Sequence, residues 1–167
     1  MRSVSARYSV LGLIGSILSA PISAQTPSDP TSFANSAEVR AVIAQMAHDI
    51  KPTEEMLYHP LLTQAPYTVA IEYWVKPKQA AAHLKEAELV YVLEGSGTLV
   101  SGGTLANAHH WYDETNGGDI VGGTTRPLKP GDVVLVPEGV PHWFGIDGGR
   151  LVMLTLHMPR PLPAPAH

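Results

Sequence analysis

Between Pro66 and Val75 apolar side chains recur at every second position: Tyr67, Val69, Ile71, Tyr73 and Val75 alternate with Thr68, Ala70, Glu72 and Trp74. Period two places the two sets on opposite faces of a strand. The alternation does not decide which face is inward, because a sandwich with a functional cavity can be polar inside. A second such run, Leu151 to Met158, sets Leu151, Met153, Thr155 and His157 against Val152, Leu154, Leu156 and Met158. Met56 to Thr63 is a shorter strand candidate. Upstream the period changes. Val39, Val42, Ile43, Met46 and Ile50 form one apolar stripe at helical spacing, which predicts a helix over 36–51. Ser36 is its expected N-cap, with Glu38 in the first turn and Lys51-Pro52 at its end. The helix is expected to pack on the outside of the β domain or across a dimer, with His48 solvated off the stripe.

Two strand-turn-strand units stand between these strands. Ala80 to Gly97 carries His83 and Glu88 ahead of Tyr91-Val92-Leu93, with Gly95-Ser96-Gly97 expected to make a hairpin turn. Gly131 to Phe144 contains Val133 to Val136, expected as a buried run, then Pro137-Glu138-Gly139, which turns the chain so that His142 enters the next strand. From Thr98 to Pro130 the chain is longer than a bare hairpin requires. Strand ends are expected on either side of Gly102-Gly103 (Thr98 to Val100, Gly103 to Leu105) and of Gly122-Gly123 (Ile120-Val121, Thr124 to Leu128). The stretch 107–116 holds His109, His110, Trp111 and Tyr112. It reads as a surface loop covering an apolar edge or as a flap over a binding cavity.

The two units resemble the paired motifs of the cupin family. The second motif is complete: Gly131, Pro137, Gly139 and His142 stand at its spacing. In the first, His83 and Glu88 take the places of the second histidine and the glutamate, while Ala81 stands where the first histidine is expected. Ile146 replaces the asparagine that often closes the second motif. The resemblance covers roughly residues 66–158. It implies an all-β fold, a cupin-type double-stranded β-helix (jelly-roll barrel) over 56–158, here with one N-terminal α-helix.

It also implies a metal site made of His83, Glu88 and His142. Two imidazoles and one carboxylate leave coordination positions open, a set that suits Fe(II) best and admits Mn, Ni, Co or Zn. A carboxylate in an apolar interior costs several kcal/mol or takes up a proton, and a divalent cation removes that penalty. The competing reading is a metal-free barrel, with His83 and His142 hydrogen-bonded in the core and Glu88 paired to Lys85 or Arg126. His157 and Tyr73 are candidates for a replacement fourth ligand. Tyr73, Tyr91, Glu72 and His157 are candidates for an acid or base. Phe144 shares the face of His142 and is the better candidate for the apolar wall of a pocket, with Trp143 beside it.

Charge and the chain ends narrow the setting. Arg2 and Arg7, the apolar Val10 to Leu18 and a cleavage site at Ile22-Ser23-Ala24 read as a signal peptide over 1–24, cleaved after Ala24. The mature 143 residues, one domain's worth, would carry nine basic against fifteen acidic side chains. That balance argues against nucleic acid and against an anionic membrane surface as partners. The chain has no cysteine, so an oxidising compartment would add no disulfide. Residues 25–35 read as a flexible linker and 159–167 as an extended Pro-rich tail. The expectation is a periplasmic or secreted protein, membrane-free in its mature form and homodimeric, acting on a small molecule. It is a metal-dependent enzyme of dioxygenase, isomerase, lyase or decarboxylase type, or a non-catalytic ligand-binding or accessory cupin.

Overall fold

A computed structural model of the chain describes residues 29–111 and 114–160. The signal segment 1–24, the first part of the linker, Tyr112 and the tail prolines Pro161, Pro163 and Pro165 lie outside the described residues. From Thr31 onward the chain forms one compact unit.

The helix, α1, runs Ser36–Asp49. Its N-cap is Asn35, not Ser36: Asn35 is extended, and its side chain accepts hydrogen bonds from the Ala37 and Glu38 amides. Glu38 closes the capping box by accepting from the Asn35 amide at 2.7 Å, so two otherwise unsatisfied donors are met reciprocally. The helix stops at Asp49, two residues short of the expected 51, where Ile50 turns extended. His48 is exposed beside Asp49, as its place off the stripe predicts.

Eleven strands follow among the described residues: β1 Met56–Gln64, β2 Tyr67–Trp74, β3 Ala80–His83, β4 Glu86–Ser101, β5 Thr104–Leu105, β6 His109–Trp111, β7 Glu114–Gly117, β8 Ile120–Val121, β9 Thr124–Leu128, β10 Val133–Val136 and β11 His142–Pro159. Nine form one sheet. Its main path is β1-β2-β11-β3-β7-β6, while β4 pairs with β9, β10 and β11. β5 and β8 make a separate two-stranded pair.

The backbone of this architecture is the antiparallel ribbon of β4 and β11. His157 pairs with Glu88 at one end and His142 with Ser101 at the other. Glu88 and Ser101 are thirteen residues apart on β4, about 43 Å in a straight strand. Yet His142 Nε2 lies 3.1 Å from Glu88 Oε2, so the ribbon must coil until its ends meet. Register shifts between Asp147 and Leu151 and between Val152 and Met153 supply part of that bend, as bulges do by raising local twist. The expected hairpin at Gly95-Ser96-Gly97 does not exist, because β4 runs straight through it. A Cβ on Gly95 would meet the Arg150 carbonyl oxygen at 2.1 Å, and one on Gly97 the Gly145 carbonyl oxygen at 2.4 Å. These glycines serve close approach of the two strands rather than a reversal.

Strand ends stand on either side of Gly102-Gly103 as expected, with β4 closing at Ser101 and β5 opening at Thr104, and Thr98 to Val100 pairs with β9. One further expectation is corrected. Val133 to Val136 is not a buried run: Val133 and Leu135 are exposed, whereas Val136 is buried and Val134 packs on the core. Among the described residues β10 pairs only with β4, and one of its faces is left to solvent.

Among the described residues the interior has two apolar clusters. Val90, Val92, Leu99, Leu128, Phe144, Leu151 and Met153 fill one part of the space inside the coiled sheet. On the opposite face of β2, Ile71 and Tyr73 join Val152 of β11 and Ile43 and Met46 of the helix. Each fully buried aliphatic side chain of this size stabilises the fold by about 1.5–3 kcal/mol relative to exposure. The helix stripe is thus covered by its own sheet and needs no second copy to cover it.

Candidate metal centre

Side chains from six strands converge on a cavity of about 800 Å3, whose lining includes Met56, Glu72, Trp74, Ala81, His83, Glu88, Asn116, His142, Phe144 and His157. The side of β2 left open by alternation is settled here: Glu72 and Trp74 face inward and Tyr73 outward. Tyr73 is buried beneath the helix, so it is neither a fourth ligand nor an acid or base of this cavity. Tyr91 is also corrected. It points outward beside Val133, 40% exposed, because Val90 and Val92 hold the inward positions of β4.

The structure brings His83, Glu88 and His142 together: one ligand atom from each lies within 4.8 Å of the others. His83 comes from the end of β3 and Glu88 from the start of β4, across the turn at Leu84-Lys85, while His142 opens β11. Glu88 is buried, with His142 Nε2 at 3.1 Å and His83 Nε2 at 3.8 Å from its Oε2. The Arg126 pairing expected of a metal-free barrel is not its arrangement. Arg126 donates instead to Ser101 Oγ at 3.2 Å.

The histidine tautomers follow from the hydrogen bonds. His142 Nδ1 lies 3.0 Å from the Val140 carbonyl oxygen. A carbonyl can only accept, so Nδ1 carries the proton and neutral His142 turns the lone pair of Nε2 toward a carboxylate. Two lone pairs facing each other in a buried site require a cation between them, a proton or a metal. Glu88 Oε2 has no hydrogen bond of good geometry. The 3.1 Å separation is close to the roughly 3.0 Å between two ligands at right angles on an ion with bonds of about 2.1 Å. The donor set therefore fits a divalent metal.

Two carboxylates in the cavity are driven in opposite directions. Burial pushes Glu88 up, but the adjacent His142 and the charges of His157 and His83 outweigh it and hold the group below its ordinary value. Burial raises Glu72, and the charge of Glu88 adds to this; the hydrogen bonds from Trp74 and Thr155 only partly oppose it. Glu72 accepts from Trp74 Nε1 at 2.7 Å and from Thr155 Oγ1 at 3.0 Å.

The walls are amphipathic. Phe144 meets Trp74 edge-to-face at 6.3 Å between centroids and His142 at 5.9 Å, making it the apolar wall expected of it. Trp143 stands at the mouth, its Nε1 donating to the Lys78 carbonyl oxygen at 2.8 Å. Lys78 Nζ lies 5.8 Å from the Trp74 ring centre, a cation–π approach. Sequence reading missed Lys78, Gln79 and Asn116 as lining residues. The segment 107–116 proves to be part of a β6–β7 hairpin that extends the sheet beside β3, which is how Asn116 reaches the cavity. His109 and His110 are exposed on it, and His110 Nδ1 lies 2.7 Å from Thr115 Oγ1.

A family model described as Cupin matches residues 79–155. No curated protein matches the chain. Among solved structures, BH2720 from Bacillus halodurans is similar with a TM-score of 0.53 and 16% identity, over 83% of this chain and 89% of that one. KdgF from Halomonas sp. follows at 0.49 and 15%, covering 68% and 86%. A cupin superfamily protein from Desulfitobacterium hafniense follows at 0.45 and 15%, covering 66% and 82%. With the motif-bearing strands inside the matched region and the sheet coiled as described, residues 79–155 belong to the cupin superfamily.

Proposed function

We propose that this cupin is exported, holds a divalent cation through His83, Glu88 and His142, and acts as a metal-dependent enzyme on a small organic molecule. The observation that carries the reading is the buried Glu88 carboxylate facing the lone pair of His142 Nε2 at 3.1 Å. Fe(II) is the best match to two imidazoles and one carboxylate, with Mn, Ni, Co and Zn as the other candidates. A bound ion would supply Lewis acidity, polarising a substrate oxygen or activating water or dioxygen.

The chain's own residues supply the rest. Glu72, whose pKa is raised, is placed to hold a proton inside the cavity at an oxygen already oriented by Trp74 and Thr155. Phe144 and Trp74 exclude water from one wall, while Gln79 and Asn116 offer amide groups and Lys78 a positive charge. These groups suit an oxygen-bearing molecule of modest size with an apolar portion. Export rests on residues 1–24 and predicts a mature protein that starts at Gln25 in the periplasm or medium. The proposal includes a homodimer, with the exposed Tyr91, Val133 and Leu135 as its contact face; a monomeric mass by light scattering would remove that part.

One observation favours a second reading, a non-catalytic ligand-binding or accessory cupin. Ala81 presents only a methyl group directly opposite His142. Elemental analysis of protein purified without chelator from its native compartment separates the two. Near-stoichiometric metal that is lost in His142→Ala is expected. A parent that holds none and takes up none on reconstitution overturns the metal reading.

A further inference from the structure

We propose that His157 stands in for the histidine that Ala81 replaces, its Nε2 serving as a fourth protein ligand and Glu86 as the carboxylate that orients it. This deepens the metal reading above and rests on it. β3 can offer no donor at position 81, where the side chain ends at Cβ. His157 enters from the opposite end of the β4–β11 ribbon, as the register partner of Glu88, on the inward face it shares with Leu151, Met153 and Thr155.

Its orientation is fixed from outside. His157 Nδ1 lies 2.7 Å from Glu86 Oε1. A carboxylate only accepts, so Nδ1 carries the proton, and in the neutral ring Nε2 keeps its lone pair. That lone pair faces the cavity, 4.0 Å from Glu88 Oε1. His142 is built the same way, with the Val140 carbonyl in place of Glu86. The two imidazoles thus approach Glu88 at its two different oxygens. The His83 ring stands within reach of both, 5.1 Å from His142 and 4.7 Å from His157 between centroids. His157 also falls within 4.8 Å ligand-atom groupings with His83 and Glu86 and with Glu72 and Glu88. A histidine whose outer nitrogen is tied to a carboxylate and whose inner nitrogen is aimed at a buried acid has the form of an oriented metal ligand. A plain surface ion pair would explain the first contact but not the second.

The consequence is a displaced opening. With His157 bound, the exchangeable position lies toward Ala81, where Gln79 and Asn116 also line the cavity, and substrate would reach the ion from that side.

The test uses Co(II) alone on the mature protein, with affinity read by chelator competition and coordination by the visible absorption spectrum. His142→Ala serves as the control for the underlying site. His157→Ala should weaken binding by about 100-fold or more and alter the spectrum. Glu86→Gln, a half-exposed change that leaves the core intact, should weaken it by about 10–100-fold. Ala81→His added to His157→Ala should recover most of the loss. If His157→Ala binds Co(II) with parental affinity and spectrum while His142→Ala does not, His157 is no ligand and the three-residue site stands. If the loss is not recovered by Ala81→His, His157 is a structural prop and the assignment falls. A parent that binds no Co(II) sinks both.

Discussion

β4 and β11 present their inward faces to two different surroundings along one continuous pairing. Toward the middle of the ribbon, Val92 opposes Met153, and Leu151 lies nearby, all three fully buried in a filled apolar cluster. Two rungs further along, Glu88 opposes His157 at an open cavity, with Val90 opposite Thr155 as the transition between them. From Met153↔Val92 to His157↔Glu88 the register is unbroken, so the difference between these rungs is chemical. The filled end is where burial stabilises the fold, and the cavity end is where polar groups are held against their preference for water. A cation would remove much of that second cost, which ties the two regions together energetically.

The largest expected contrast comes from emptying the filled end. Leu151→Ala should cost about 2–5 kcal/mol, the range for deleting a fully buried leucine side chain, and should leave metal affinity near the parent's. Urea denaturation in the presence of chelator measures the first, and chelator competition the second. A loss below about 1 kcal/mol would mean that the cluster collapses readily, and the comparison between a rigid and an open end would fail.

At the cavity end the pattern should invert. His142→Ala removes one hydrogen bond to Val140 and exposes no large apolar surface. In chelator it should shift stability by only about 1–2 kcal/mol. With metal in excess, the parent should gain melting temperature by mass action while the variant should not. Equal metal-induced shifts in both proteins would show that His142 is not a ligand.

How far the sequence could reach follows the same division. Alternation in 67–75 and 151–158 located the strands, and the helical stripe located α1, because each face has one consistent chemistry. The grouping of His83 and Glu88 with His142 was implied by the resemblance to the cupin motifs, not by any local pattern of these residues. Sidedness was not legible. On β2 both faces are buried, one under the helix and one in the cavity, so Tyr73 and Glu72 could not be told apart by period alone. Gly95 and Gly97 misled for a related reason: a glycine needed for close strand approach has the same sequence signature as one needed for a turn. The orientation of His157 was half legible, since parity put it on the face of Thr155. Its tie to Glu86 depends on register between strands some seventy residues apart, which no local pattern carries.

The smallest expected effect sharpens the comparison most, because it concerns a single proton. Glu72 has its pKa raised in the folded protein, by burial first and then by the charge of Glu88. A group raised in this way favours the folded state fully below the ordinary carboxylate value, and that contribution is lost as pH rises through the folded value. Glu88, held low, has the opposite sign: its contribution is present above the ordinary value and is lost on acidification. Glu72→Gln keeps the shape and can still accept from Trp74 and meet Thr155, but it has no proton to lose. In chelator its stability relative to the parent should therefore increase as pH rises from about 4 toward neutrality, an effect smaller than either change above. With metal bound the trend should flatten, because an ionised Glu72 then faces positive charge instead of the bare Glu88 carboxylate. Denaturant melts of parent and variant across that pH range, with and without metal, test both halves. A pH-independent difference in chelator would mean that Glu72 is already ionised at no cost, and the cavity end would not be the strained region this comparison makes it.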